Sequence, residues 1–183
     1  MQRSEIKLEI KDVQKFITLL RKKGAVHLGD TMETTYRYDT PDCSLEKKGV
    51  FLRLRSGFSN TLTVKKKLSD SNKDYRVRDD ITMEVDNINK AREVIKTLGY
   101  TYERIMEKYR VEWRYKRVKI TIDELPFGIY GEIVGDQDQI KTVCKDLGLD
   151  FSKAITETYW GVFKEISEDK NILFPPNYRL KLL

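Results

Sequence analysis

What most constrains the fold of this chain is a strict alternation of apolar and charged residues, repeated on segment after segment. In SEIKLEI, residues 4–10, Ile6, Leu8 and Ile10 fall on one side and Glu5, Lys7 and Glu9 on the other. A period of two puts successive side chains on opposite faces of a pleated strand. The pattern returns in TTYRYD, and in FLRLRSG, where Arg53 and Arg55 oppose Leu52 and Leu54. TLTVKKK sets Thr61, Thr63, Lys65 and Lys67 on one face. RVRDDITMEVD does the same with Arg76, Arg78, Asp80, Thr82 and Glu84. EKYRVEWRY follows with Lys108, Arg110, Glu112 and Arg114, and VKITIDE with Lys119, Thr121 and Asp123. About eight such strands with short links predict a largely antiparallel sheet, and that many strands curl or close. The expected fold is α+β: a closed eight-stranded antiparallel β-barrel, helices packed on its apolar outside, charged faces lining its inside.

The helices recur as a unit. Asp12 can cap a helix whose Val13, Phe16, Ile17 and Leu20 fall at helical spacing, and Gly24 stops it. RDDITMEVDN leads likewise into a stripe of Ile88, Ala91, Val94, Ile95 and Leu98 ending at Gly99. A looser copy runs from YGEIVGD to Gly148. This is internal pseudo-symmetry, with too long and irregular a period for a solenoid. FSKAITETYWGVFKEI reads as a closing helix, and NILFPPNYRLKLL as a proline-interrupted tail. The boundaries are therefore one domain over residues 1–170 and a tail over 171–183.

The chain has 183 residues, 39% hydrophobic and 35% charged, with a formal net charge of +6. That length supports one domain with its own core. The charge balance suits an anionic ligand but is too mixed to establish nucleic-acid binding. Cys43 and Cys144 belong to no CxxC pattern and read as reduced thiols of a cytoplasmic protein. There is neither an apolar leader pattern nor a run long enough to span a bilayer. The single histidine, His27, sits in a turn-like GAVHLGD stretch without a partner motif, which argues against a catalytic role. Metal-binding His/Cys clusters, a GxSxG elbow and a Walker loop are absent from the sequence.

One alternating charged strand is ordinarily a solvated face. Here Arg and Lys recur two apart on at least three strands, with acids on the matching faces of others. A polyphosphate site needs that inventory. Guanidinium forks bind phosphate oxygens bidentately, lysines add point charges, and carboxylates hold the divalent ions that bridge the same oxygens.

Over roughly residues 5–163 the motifs resemble the CYTH superfamily, the triphosphate tunnel metalloenzymes. The opening ExExK strand appears as RSEIK, with Glu5 and Lys7 matching and Arg3 in place of the first Glu. YDTPD, LRLR, LTVK, ITMEV, the Lys108–Arg110 pair and TIDELPFG follow in order. The closing ExE appears as GEIVG, with Glu132 matching and Val134 in place of the second Glu. Length and the TYWGVF segment are similar to the class IV adenylate cyclase branch, with Thr158–Tyr159 where that branch commonly has Ser-Tyr.

The resemblance implies a closed eight-stranded tunnel and assigns roles. Lys7, Arg53, Arg55, Lys65, Lys108 and Arg110 would grip a triphosphate, and Lys7, Arg110 and Tyr159 would be catalytic. Glu5, Glu84, Asp123 and Glu132 would hold Mg²⁺ or Mn²⁺. Arg3 and Val134 remove two expected metal ligands, for which Glu9 or Glu124 could compensate, Glu124 being on the wrong parity unless the strand has ended. The implied activity is conversion of ATP to cyclic AMP and pyrophosphate. The alternatives are hydrolysis of inorganic, thiamine or nucleoside triphosphate, and a non-catalytic triphosphate or polyphosphate binder. The implied partner is a nucleotide or polyphosphate, and family precedent makes a homodimer plausible. A nucleic-acid barrel is disfavoured, because the basic residues are interleaved with acids rather than gathered beside stacking aromatics.

Overall fold

The computed structural model describes residues 4–67 and 78–182. Its strands are β1 (Ser4–Glu9), β2 (Val26–Asp39), β3 (Val50–Ser56), β4 (Thr61–Lys67), β5 (Arg78–Glu84), β6 (Tyr102–Tyr115), β7 (Val118–Leu125) and β8 (Gly128–Gly135). Its α-helices are α1 (Val13–Lys22), α2 (Ser44–Lys47), α3 (Ile88–Thr97), α4 (Gln137–Asp146) and α5 (Tyr159–Lys164). The eight strands form one sheet in the order β1-β8-β7-β6-β2-β3-β4-β5, antiparallel at every step.

The α+β class and the eight antiparallel strands match the sequence reading; barrel closure does not. Among the described residues no ladder joins β1 to β5, so the sheet is curled but open. The outward edge of β1 is instead taken by the chain near its C-terminus. Lys7 N donates to Ile155 O at 3.1 Å, and Ile155 N donates to Lys7 O at 2.8 Å. The curl still brings the two ends of the sheet into electrostatic range, since the charge of Glu5 on β1 acts on Lys65 on β4.

The three predicted strand–helix units are present. Asp12 and Asn87 accept from the backbone N–H three residues on, Lys15 and Lys90, and Asp136 accepts from Asp138 N, so each helix start has a side-chain cap. Gly24, Gly99 and Gly148 follow the helices with φ of +77°, +94° and +62°. Other residues pay a steric cost in that left-handed region, which is why glycine recurs there. Phe16 and Leu20 of α1 and Ile140, Val143 and Cys144 of α4 cover the outer face of the sheet at Ile6, Leu8, Trp113, Ile120 and Ile133. Ile95 of α3 covers Tyr38, Leu52 and Leu54 at the other end. Apolar outside and charged inside is therefore the observed arrangement. On β5 the outer face is uncovered, with Ile81 72% and Met83 59% exposed.

Two local expectations are corrected. His27 lies within β2, not in a turn; a bulge between His27 and Gly29 breaks the ladder to β6, and the ring packs on Trp113 at 4.9 Å. The closing helix is interrupted. A 3₁₀ turn at Phe151–Lys153 gives way to an extended stretch that pairs with β1, and Thr158 Oγ1 then caps α5 by accepting from Gly161 N. The C-terminal stretch, whose packing the sequence leaves open, is docked. Beyond Leu125, β7 no longer covers β6, and Ile172 takes the vacated edge through Ile172 N to Ile105 O (2.9 Å) and Glu107 N to Ile172 O (2.8 Å). Among the described residues no helix is long and apolar enough to cross a membrane.

Candidate active site

The parity of each strand decides what the trough contains. Register sets Arg110 across from Asp123 between β6 and β7, and Lys108 across from Glu33 between β6 and β2. Lys7 on β1 lies across from Glu132 on β8. Arg53 and Arg55 on β3 lie across from Arg37 and Thr35 on β2, and Lys65 on β4 lies across from Asp80 on β5.

Asp123 is the hub. It is fully buried. It accepts from Arg110 Nε and Nη2, both at 2.6 Å, from Lys108 Nζ at 3.0 Å and from the Tyr159 hydroxyl at 2.9 Å. Burial pushes its carboxyl up, but Arg110 and Lys108 outweigh that and hold it well below the usual carboxylate range. Burial of the Arg110 guanidinium works against its charged form. Asp123, Glu33 and Glu132 hold it charged instead. Tyr159 is buried, and its phenol is pushed well above its ordinary value by burial and then by the Asp123 and Glu132 charges. Its hydroxyl therefore stays protonated and donates to Asp123.

Glu33, which sequence reasoning missed, is the second anionic centre. It lies 3.2 Å from Lys108, 3.6 Å from Arg55 and 3.8 Å from Arg110. Its signal was available: Glu33, Thr35, Arg37 and Asp39 share one face of METTYRYD. Burial raises its carboxyl, but the three cations pull it from 4.5 down to about 2. A depressed carboxylate stabilises the fold above its unfolded pKa, and that contribution is lost as pH falls through the folded value. Acid unfolding of Glu33→Gln is accordingly expected to lose part of the slope between pH 4.5 and 2 that the parent shows. Identical pH–stability curves by circular dichroism would refute this.

The remaining cations differ in their company. Lys7 pairs with Glu5 on its own strand, and Lys65 with Asp80. Arg53 has no ion-pair partner among the described residues, and its Nε is buried without an acceptor. Burial, followed by repulsion from Arg55, depresses it to about 10. It is the group in the trough that most lacks an anion.

The predicted phosphate-binding side chains thus share the inner face, as do Glu5, Asp123 and Glu132. Glu84 shares the inner-face parity of Asp80 and Thr82 but is exposed at the end of edge strand β5, across from Thr61. Val134 lies across from Glu5, and Arg3 falls outside the described residues. Neither proposed substitute reaches the cluster. Glu9 is exposed across from Tyr130, while Glu124 points to the outer face and accepts from Tyr178 OH, Lys181 N and Leu182 N.

The carboxylates do not form a ready-made cage. Among the described residues, the one group of acidic, Cys or His ligand atoms within 4.8 Å of one another is Asp39, Cys43 and Glu46. There, Asp39 already accepts from the backbone N–H groups of Thr40, Leu45 and Glu46. In the trough, the Glu132 carboxyl is raised by burial and next by Glu5, a shortfall of positive charge. A divalent cation fits there by charge and by oxygen ligands.

Residues 1–176 match the CYTH domain model. A solved structure from Vibrio parahaemolyticus, provisionally assigned as an adenylate cyclase, superposes with a TM-score of 0.75 at 17% identity, covering 90% of this chain and 98% of that one. A Pyrococcus horikoshii protein superposes at 0.74 with 20% identity, covering 89% and 98%. A Hippeastrum protein taken for an adenylyl cyclase, but with a dominant triphosphatase activity, superposes at 0.62 with 17% identity, covering 90% and 96%. At these identities the structural likeness establishes the fold alone. A search of curated proteins returned no match. With the domain match spanning nearly its whole length and the curled sheet gathering the motif residues in one trough, the chain belongs to the CYTH domain family.

Proposed function

We propose that the trough binds a triphosphate-bearing substrate and, with Mg²⁺ or Mn²⁺, converts ATP to cyclic AMP and pyrophosphate. The observation that carries this reading is Arg53: a half-buried arginine with no ion-pair partner among the described residues, whose Nε is buried without an acceptor. A phosphate oxygen supplies what it lacks. Lys7, Arg55, Lys65, Lys108 and Arg110 complete the grip, each exchanging part of an internal ion pair for phosphate. Glu5 and Glu132 would hold the metal, with Asp123 beside them. A divalent ion there would neutralise charge on the phosphate oxygens.

In the cyclase step the ribose 3′-oxygen bonds to the α-phosphorus. The bond from that phosphorus to its bridging oxygen breaks, pyrophosphate leaves, and the hydroxyl proton passes to solvent. Such a displacement needs alignment and charge neutralisation more than covalent catalysis. Tyr159 is here a positioning residue that orients Asp123, which in turn fixes Arg110 and Lys108. The second reading, hydrolysis of a triphosphate by water, is supported by the activity named for the Hippeastrum relative. The protein is to be incubated with Mg²⁺ or Mn²⁺ and, separately, ATP, tripolyphosphate and thiamine triphosphate, and the products resolved. Cyclic AMP with pyrophosphate is the expected result. Orthophosphate with a diphosphate transfers the chain to the triphosphatases, and binding without product makes it a receptor.

A further inference from the structure

Beyond the triphosphate cluster the cation lining continues. Arg53 lies across from Arg37, and Arg37 lies across from Arg104 on β6, so three arginines form one row over three strands. Lys108 to Arg104 is four residues along β6, about 13 Å at the usual strand rise. The two guanidinium groups share one counter-ion. Arg37 Nη2 and Arg104 Nη2 lie 3.1 and 3.3 Å from the same oxygen of Glu46, a side chain 50% exposed. The nearby Asp39 is occupied by the backbone of α2.

Two donors at this place are unspent: Arg104 Nε and Trp160 Nε1 are buried and make no hydrogen bond, while Arg37 Nη2 has only Glu46 within reach. Aromatic rings wall the same place: Phe51 lies 3.8 Å from the Arg37 guanidinium, with Tyr102 and Trp160 at 5.7 and 6.0 Å from that of Arg104. The charges of Glu46 and Asp39 both favour the Arg37 cation, yet burial and then repulsion from Arg104 outweigh them and hold Arg37 below its ordinary value.

We propose that Arg37, Arg104 and Trp160 form a second oxyanion subsite, at which Glu46 stands in for an anionic group of the ligand. This inference rests on the triphosphate reading of the trough. It adds that the preferred ligand carries a further oxyanion beyond the three phosphates. That group is either a further phosphate of a longer linear chain or a phosphate on the organic substituent. Glu46, on the short α2, swings out when the ligand anion enters.

Calorimetry on the full chain distinguishes the outcomes. The ligands are tripolyphosphate, tetra- and pentapolyphosphate, ATP, and ATP bearing an added 3′-phosphate. A gain of about tenfold is expected from the extra oxyanion in one of the two series, the scale of one charge-assisted contact. A gain confined to the polyphosphates identifies the linear chain, and a gain confined to the phosphorylated nucleotide identifies the substituent. Arg104→Met should abolish the gain while tripolyphosphate binding stays within about twofold, also the sign that the variant folds. Glu46→Gln should act in the opposite direction and tighten the longer anion. Tripolyphosphate bound without any gain overturns the subsite alone. Failure of the parent to bind tripolyphosphate overturns the trough reading and the subsite with it. Equal effects of Arg104→Met and Glu46→Gln, in the same direction, would also overturn the subsite.

Discussion

Asp123→Ala is expected to lower the unfolding free energy by about 3–5 kcal/mol and to abolish triphosphate binding, the scale for removing one partner of a buried ion pair. The size follows from what the carboxylate holds. Asp123 is fully buried and accepts two hydrogen bonds from Arg110, one from Lys108 and one from Tyr159. Its loss leaves a buried ammonium with Glu33 alone and a buried guanidinium with Glu33 and Glu132. Those remaining acids place the loss nearer the lower figure. Urea unfolding followed by tryptophan fluorescence measures it, and a change under about 1 kcal/mol would refute the hub role, because surface ion pairs contribute no more than that. Asp123→Asn keeps the shape and one acceptor while removing the charge. It should fold better than the alanine variant and still bind triphosphate weakly, since Arg110 would no longer be aligned by two bonds to one carboxylate.

Removal of residues 177–183 is the second large expected effect, a loss of about 3 kcal/mol, typical of a buried charge deprived of its partners. Glu124 sits on the apolar side of β7 with no exposure. Its acceptor sites are filled by Tyr178 OH at 3.0 Å, Lys181 N at 2.8 Å and Leu182 N at 2.9 Å. Without them the carboxylate loses all three donors while it still sits on the apolar side of β7. Glu124→Leu should therefore be harmful in the full chain, where it orphans those donors, and beneficial in the shortened one. The opposite signs make this a double-mutant cycle with an interaction of at least about 1 kcal/mol. Additive losses would mean that the C-terminal segment stabilises only through the partial burial of Leu180 and Leu182.

Both effects involve neighbouring residues of one strand, Asp123 and Glu124, and they show how far parity carries. A two-residue period states that the two carboxylates face opposite ways; it does not say what each meets. Asp123 was legible through its inward parity in VKITIDE and the TIDELPFG motif, although its pairing with Arg110 and Lys108 was not. Glu124 was not, since its partners, two backbone N–H groups and one tyrosine hydroxyl, lie more than fifty residues further on. Backbone donors have no side-chain signature. Glu33 was missed for a different reason. It lies on a predicted face, but nothing local separates an acid that neutralises two buried cations from an acid in water. Arg37 and Arg104 have the same difficulty, being ordinary strand charges until register sets them side by side.

The sequence by itself determined the strands, their inward and outward faces and the three capped helical units. Each of these depends on interactions within a few residues: pleat alternation, a side-chain cap, a glycine at positive φ. It also carried the motif order of the CYTH family. Tertiary structure alone decided that the sheet stays open, because the edge of β1 pairs with Ile155 and not with β5. It alone decided that Tyr159 reaches Asp123, that the C-terminal segment closes over Glu124, and that Glu84 stays outside the cluster. These are pairings between distant segments. Competition among edges, buried charges and free donors settles them only when the whole sheet has curled.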